Sequence, residues 1–139
     1  MPYFVRILVV DDYEPFRQYV RATLLARPEW RVIAEACDGL QAVQMAEKMK
    51  PDVILLDIGM PVLNGLEAAK RISGAIPEAK ILFVSEQNDV DVVAAALSNG
   101  AKGYILKVNI GRELLPAVEA VVVGKRFVGS GVKQPLPGS

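Results

Sequence analysis

VILLDIGMP, residues 53–61, runs four apolar residues straight into an acid. Val53, Ile54, Leu55 and Leu56 suit a strand buried on both faces, because no polar residue alternates with them. Gly59 and Pro61 then stop the strand. Asp57 is thereby carried to the end of a core strand and anchored there. On these residues alone it could cap a helix, bind a ligand or react, and the rest of the chain has to separate the three.

The same texture recurs on both sides. Phe4–Val10, Trp30–Ala36, Ile81–Val84 and Gly103–Leu106 are short runs rich in β-formers. Between them lie apolar stripes at helical spacing: Phe16, Val20 and Leu24; Ala42, Met45, Ala46 and Met49; Leu66, Ala69 and Ile72; Val90, Val93, Ala94 and Leu97; Leu114, Val118, Val121 and Val122. Strands alternating with helices predict a single α/β domain, a parallel sheet covered on both faces. The punctuation agrees. Pro15 suits the first turn of a helix, Asn64-Gly65 opens one, Asn88 or Asp89 caps the next, and Asn99-Gly100 ends it. Glu67 and Arg71 are spaced for a solvent-side pair, and Pro116 falls beyond the first turn of the last helix. After Phe127 the chain becomes rich in Gly, Pro and Ser. We expect the domain to occupy residues 1–127, with a linker or flexible tail over 128–139.

Composition narrows the chemistry. The chain has 139 residues, 52% of them hydrophobic and 23% charged, with 16 basic and 16 acidic residues. That balance offers no basic surface for nucleic acid, so direct nucleic-acid binding is not expected. No apolar run approaches the ~18–20 residues that cross a bilayer, so no membrane partner is expected either. The single cysteine, Cys37, excludes an internal disulfide and fits a reducing, cytoplasmic setting; it is expected to be a small core residue at a strand end. There is no histidine, which removes Ser-His-Asp and Cys-His catalysis and the usual zinc sets.

In a parallel α/β sheet the carboxyl ends of the strands share one edge, where ligands bind. The first strand delivers Asp11 and Asp12 there, the third Asp57, the fourth Ser85 and the fifth Lys107. If the first and third strands are neighbours, three carboxylates crowd together. Two unit charges ~5 Å apart cost on the order of 3 kcal/mol at an effective dielectric near 20. Lys107 offsets part of this, and a hard divalent cation would offset more; oxygen ligands at an open edge suit Mg2+. Taken singly, each residue has an ordinary role as a cap, a turn hydroxyl or a solvated lysine. Their convergence on one edge is what capping alone does not explain.

VVDDYEPFR, LLDIGMPVLNGLEA, ILFVS and GAKGYILK, in this order and strand context, resemble the receiver domains of two-component response regulators over residues 4–127. The resemblance implies a flavodoxin-like fold of five parallel strands, order 2-1-3-4-5, with helices on both faces. It implies that Asp57 is the phosphoacceptor, taking a phosphoryl group from the phosphohistidine of a histidine kinase or phosphotransfer protein. Asp11, Asp12, Asp57 and the carbonyl of Gly59 would hold Mg2+. Lys107 would pair with the incoming oxygens, Ser85 would hydrogen-bond the bound phosphate, and Tyr104 would turn inward behind it. Gly59, Glu86 and Gln87 would tune the lifetime of the acyl phosphate. The chain would act as a switch rather than as an enzyme, although it takes part in its own phosphorylation and dephosphorylation. Its output would be a change in the face made by the fourth helix, fifth strand and fifth helix, on which a phosphorylation-dependent homodimer would form.

Two departures stand out. Val108 follows Lys107 where many receivers have a cis-proline; a cis bond before Val costs roughly 3–4 kcal/mol, so trans is expected. Glu86 follows Ser85 where a small residue is common. Rival functions of the same fold fit less well. A flavodoxin would need a neutral phosphate loop where Asp11-Asp12 stands, and a haloacid-dehalogenase-like phosphatase would need an acid at Gly59. A degenerate receiver used only for protein contacts finds support in Glu86 alone. KVNIGRELLPAVEAVVVGKRFV, residues 107–128, most resembles receivers that precede a LuxR-type helix-turn-helix. The sequence is therefore expected to end within a linker to such an output domain rather than to be a stand-alone receiver.

Overall fold

The computed structural model describes residues 3–135. In chain order it contains β1 (Val5–Val10), α1 (Glu14–Leu24), β2 (Trp30–Ala36), α2 (Gly39–Met49), β3 (Val53–Leu56) and α3 (Gly65–Ala75). These are followed by β4 (Lys80–Ser85), α4 (Val90–Ser98), β5 (Gly103–Leu106), α5 (Ile110–Val122) and β6 (Phe127–Val128). The strands form one sheet in the order β2-β1-β3-β4-β5-β6, and every neighbouring pair is parallel. The flavodoxin-like core of order 2-1-3-4-5 is therefore present, extended by a short sixth strand that the sequence reading did not anticipate.

Side chains alternate across the sheet because the strand period is two. Ile7, Val9, Val53 and Leu55 face α1 and α5, meeting Val20, Leu24, Leu114 and Val118. Leu8, Val10, Ile54 and Leu56 face the opposite way, against Ala42, Ala46, Ala69, Ile72 and Val93 of α2, α3 and α4. All four residues of β3 are buried, which is why that strand reads as an unbroken apolar run. Small residues on α2 and α3 let these two helices pack side by side.

Most of the punctuation falls where expected. Pro15 lies in the first turn of α1. Asn64 Oδ1 accepts the Glu67 amide at 3.0 Å, capping α3. Gly100, with φ +92°, takes the left-handed turn after α4, and Pro116 lies inside α5. Glu67 and Arg71 pair at 3.2 Å. No peptide bond among the described residues is cis, so Lys107–Val108 is trans; a 3-10 turn over Lys107–Asn109 leads directly into α5.

Three local expectations are corrected. Asp89 is the N-cap residue of α4, but its side chain makes no capping hydrogen bond, and the Asn88 side chain is bonded to the C-terminal segment instead. Cys37 is half-exposed, its thiol 3.2 Å from Gln41 Oε1, because it falls one residue past β2 at the entrance to α2. The stretch expected to be linker carries the second residue of β6, and its Ser130 and Lys133 amides donate to the side chains of Glu113 and Asn88. The last part of that stretch, residues 136–139, lies outside the described residues.

Candidate functional site

The strand order reverses at β1, which has β2 on one side and β3 on the other. At such a switch point the carboxyl ends of adjoining strands open a crevice. Asp11 follows β1 directly, and its amide bonds the Ala36 carbonyl at 3.1 Å. The Asp57 amide bonds the Val10 carbonyl, also at 3.1 Å. Each acid is thus held by the neighbouring strand's ladder, so both carboxylates are fixed by main chain.

Asp11, Asp12 and Asp57 bring one carboxylate oxygen each within 4.8 Å of one another. Asp11 and Asp57 are buried, and Asp12 is exposed. Lys107 reaches across from the end of β5, its Nζ 2.7 Å from Asp11 Oδ2 and 3.4 Å from Asp57 Oδ2. The Phe16 ring lies under the same ammonium, 4.4 Å from Nζ to the centroid. Asp57 Oδ1 accepts the Ile58 amide at 2.8 Å, and Asp11 Oδ1 accepts the Tyr13 amide at 2.9 Å. The cleft over these groups measures about 700 Å3, and Gly59, Glu86 and Val108 complete its wall.

The electrostatics follow from this crowding. Burial pushes Asp57 up from 3.8 to about 6; Lys107 and the Ile58 amide pull it down, and Asp11 adds to the rise. Burial pulls Lys107 down, but the Asp11 and Asp57 carboxylates outweigh it and leave the ammonium above its ordinary value. Asp11 Oδ2 is buried and has an ion pair but no aligned hydrogen-bond donor. A buried carboxylate oxygen left short of donors, among three acids and no nitrogen or sulfur ligand, fits a hard cation such as Mg2+. Asp11, Asp12, Asp57 and the Gly59 carbonyl are the groups available to hold it.

The remaining predicted residues sit behind or beside the cleft. Ser85 is fully buried at the end of β4, and its Oγ accepts the Gln87 amide at 3.0 Å. Tyr104 is fully buried against Phe83, with ring centroids 5.9 Å apart, and its hydroxyl donates to the Gln87 carbonyl at 2.7 Å. Burial raises the Tyr104 pKa above 10.0. Glu86 projects into solvent, its carboxylate 3.9 Å from Lys107 Nζ, farther than Asp11 and Asp57. Gln87 extends over Gly59: a Cβ at 59 would meet Gln87 Nε2 at 3.4 Å.

Sequence reasoning missed two supports. Arg17 donates from Nη1 to the Asp11 carbonyl at 2.7 Å and from Nε to Glu35 Oε1 at 2.9 Å, tying the acidic turn to β2. Arg21 reaches the other Glu35 oxygen. The available signal was Glu35, a partly buried acid in the apolar second half of β2, which calls for a cation from a neighbouring element. Phe16 was read as core alone, and its second role under Lys107 has no local signature.

Residues 7–119 match the sequence family described as the response regulator receiver domain. The chain is 39% identical over 124 residues to the transcriptional regulatory protein DegU of Brevibacillus brevis, a match covering 89% of this chain and 52% of DegU. It is 36% identical over 121 residues to the transcriptional regulatory protein LiaR of Bacillus subtilis, covering 87% and 57% of the two. The chain therefore spans about half the length of these relatives. Its fold superposes on a two-component response regulator of the LuxR family from Aurantimonas sp. SI85-9A1 with a TM-score of 0.88 and 30% identity, covering 93% of this chain and 92% of that one. On the signal receiver domain of NarL from Mycobacterium tuberculosis the TM-score is 0.84 and the identity 32%, covering 89% and 100%.

Proposed function

Because the chain belongs to the response regulator receiver domain family, we propose that it is a phosphorylation-operated switch in which Asp57 accepts a phosphoryl group from the phosphohistidine of a histidine kinase or phosphotransfer protein. The observation that carries this reading is the placement of Asp57: main chain fixes it, Asp11 and Asp12 flank it, and Lys107 faces it across an open cleft.

In the proposed step an Asp57 carboxylate oxygen attacks phosphorus. A P–O bond forms, the P–N bond to the donor imidazole breaks, and its electron pair returns to the imidazole nitrogen, leaving an acyl phosphate on Asp57. Transfer of this kind needs in-line placement and charge stabilisation more than covalent machinery. When bound, Mg2+ supplies charge neutralisation at the transferred group. Lys107 Nζ, already within 3.4 Å of Asp57, supplies a second fixed positive charge. The Ser85 Oγ accepts Gln87 N–H, so its own hydrogen is free to donate to a phosphoryl oxygen. Gln87 and Glu86 flank the approach of a hydrolytic water and are the groups we expect to set the lifetime of the product.

The output we infer is a change in the loop after β4 and in the face formed by α4, β5 and α5, read by a second copy or by an attached transcription-regulating domain. The DegU and LiaR matches, both described as transcriptional regulators, support this direction.

Intact-mass measurement after incubation with acetyl phosphate and Mg2+ tests the assignment. One phosphoryl adduct is expected on the native chain and none on Asp57→Asn. An unmodified native chain, or an adduct that persists in the variant, would overturn it.

A further inference from the structure

The residues after α5 close the free edge of the sheet. β6 pairs with β5, setting Phe127 beside Gly103 and Val128 beside Tyr104. The chain then continues past the end of β5. The Gly129 amide donates to the Tyr104 carbonyl at 2.8 Å, and Val132 packs against the edge of the core cluster. Side chains from three places hold this strap. Glu113, on α5, accepts the Ser130 amide on Oε2 at 2.9 Å. Asn109 donates to the Ser130 carbonyl at 3.1 Å. Asn88 grips twice: Nδ2 donates to the Gly131 carbonyl at 2.9 Å, and Oδ1 accepts the Lys133 amide at 2.8 Å. A Cβ at 129 would stand 2.4 Å from the buried Glu113 Oε1, so a glycine there lets the strap lie against the acid.

The strap is joined to the phosphoacceptor cleft by two short routes. In the first, Ser85 Oγ holds the Gln87 amide, and Asn88 is the next residue. In the second, Tyr104 donates its hydroxyl to the Gln87 carbonyl, while its own carbonyl holds the Gly129 amide. Ser85, the loop after β4, Tyr104 and the strap therefore form one hydrogen-bonded set.

We propose that the β5 edge is an intramolecular docking surface for residues 127–133, and that Asn88 couples the docking of this strap to the occupancy of the cleft. The proposal rests on the reading of Asp57 as phosphoacceptor. A phosphoryl group that takes a hydrogen bond from Ser85 fixes the loop carrying Gln87 and Asn88. The ordering cost of the loop is then already met when the strap docks, so loading tightens the strap. A partner reaching the α4–β5–α5 face meets the strap rather than a bare strand edge. Whatever follows residue 133 leaves from a point set by the switch.

Residue-resolved amide exchange on the full chain tests this, with and without beryllofluoride and Mg2+; loading competence is checked separately by intact mass after acetyl phosphate. In the unloaded protein, Asn88→Ala should speed exchange of the Lys133 amide by about fivefold, the worth of one hydrogen bond. In the native chain, loading should slow the Gly129, Ser130 and Lys133 amides by a similar factor; Asn88→Ala should still load but lose that slowing. If the native chain loads while these amides keep their rates, or if Asn88→Ala leaves Lys133 unchanged, the coupling is wrong and the phosphoacceptor reading stands. If the native chain takes no phosphoryl group, the premise fails and the coupling falls with it.

Discussion

Asp57 is held in a state that costs the folded protein energy. Its pKa of about 6 lies above the ordinary 3.8 because burial, with Asp11 beside it, disfavours the charge. The protonated acid therefore favours the folded chain. That contribution is complete below the ordinary value and is lost as pH rises through about 6. Above neutrality, in the absence of metal, the ionised carboxylate costs on the order of 2–3 kcal/mol. Asp57→Asn should consequently raise the thermal midpoint by several degrees at about pH 7.5, and the gain should shrink towards about pH 5 as the native acid protonates. Calorimetry across that range, without divalent cations, measures it; a gain independent of pH would mean that the carboxylate's charge is not the source. A divalent cation held between Asp11, Asp12 and Asp57 would offset the same cost.

The junction between β3 and α3 is the element that converts a core strand into a presented acid. The Gly65 amide bonds the Ile58 carbonyl at 2.8 Å, and the Leu63 amide bonds the Pro61 carbonyl at 2.7 Å. Between them Val62 sits at φ +69°, a strained value for a β-branched residue, with its side chain exposed. The turn is tight because α3 starts directly against Asp57: a Cβ at Gly65 would lie 1.9 Å from the Asp57 carbonyl oxygen. That clash is with main chain and no rotamer relieves it. Gly65→Ala should lower stability by about 3 kcal/mol, at the upper end of the range for overpacking, and should slow loading by displacing Asp57. Urea unfolding together with the rate of adduct formation reads both, and an unchanged midpoint would show that α3 can shift freely. The α4 helix is built differently. Its fully buried side chains are only Val93 and Ala96, with Val92 and Leu97 partly buried beside them.

At the scale of the whole molecule, the two faces of the sheet divide the labour. α1 and α5 back the acidic cleft through Phe16 and Arg17 and through the turn that carries Lys107, whereas α4 and the strap border the loop after β4. Balanced charge, 16 against 16, leaves no net repulsion to keep two copies apart. Sedimentation of the full chain with beryllofluoride and Mg2+ should show a faster species than without them, through the α4–β5–α5 face with the strap as part of its surface. Superimposable profiles would remove self-association as the output. Among the described residues, no helix is long and apolar enough to cross a membrane.

The sequence by itself determined the alternation of strands and helices, the double burial of β3 and the delivery of Asp11, Asp12, Asp57, Ser85 and Lys107 to strand ends. These features are local: they depend on periods of two and 3.6 residues and on where Gly, Pro and Asn interrupt them. Only the tertiary structure decided that Lys107 leans on Asp11 more closely than on Asp57, that Arg17 braces the acidic turn and that Cys37 is partly open to solvent. It also decided the fate of the Gly- and Ser-rich stretch after Phe127. Its composition lacks the apolar content to fold alone, yet Asn88, Asn109 and Glu113 supply hydrogen bonds from elements far away in sequence. Asn88 could not be read correctly for the same reason: as a cap it needs only its neighbours, but here its partners lie more than forty residues further along the chain.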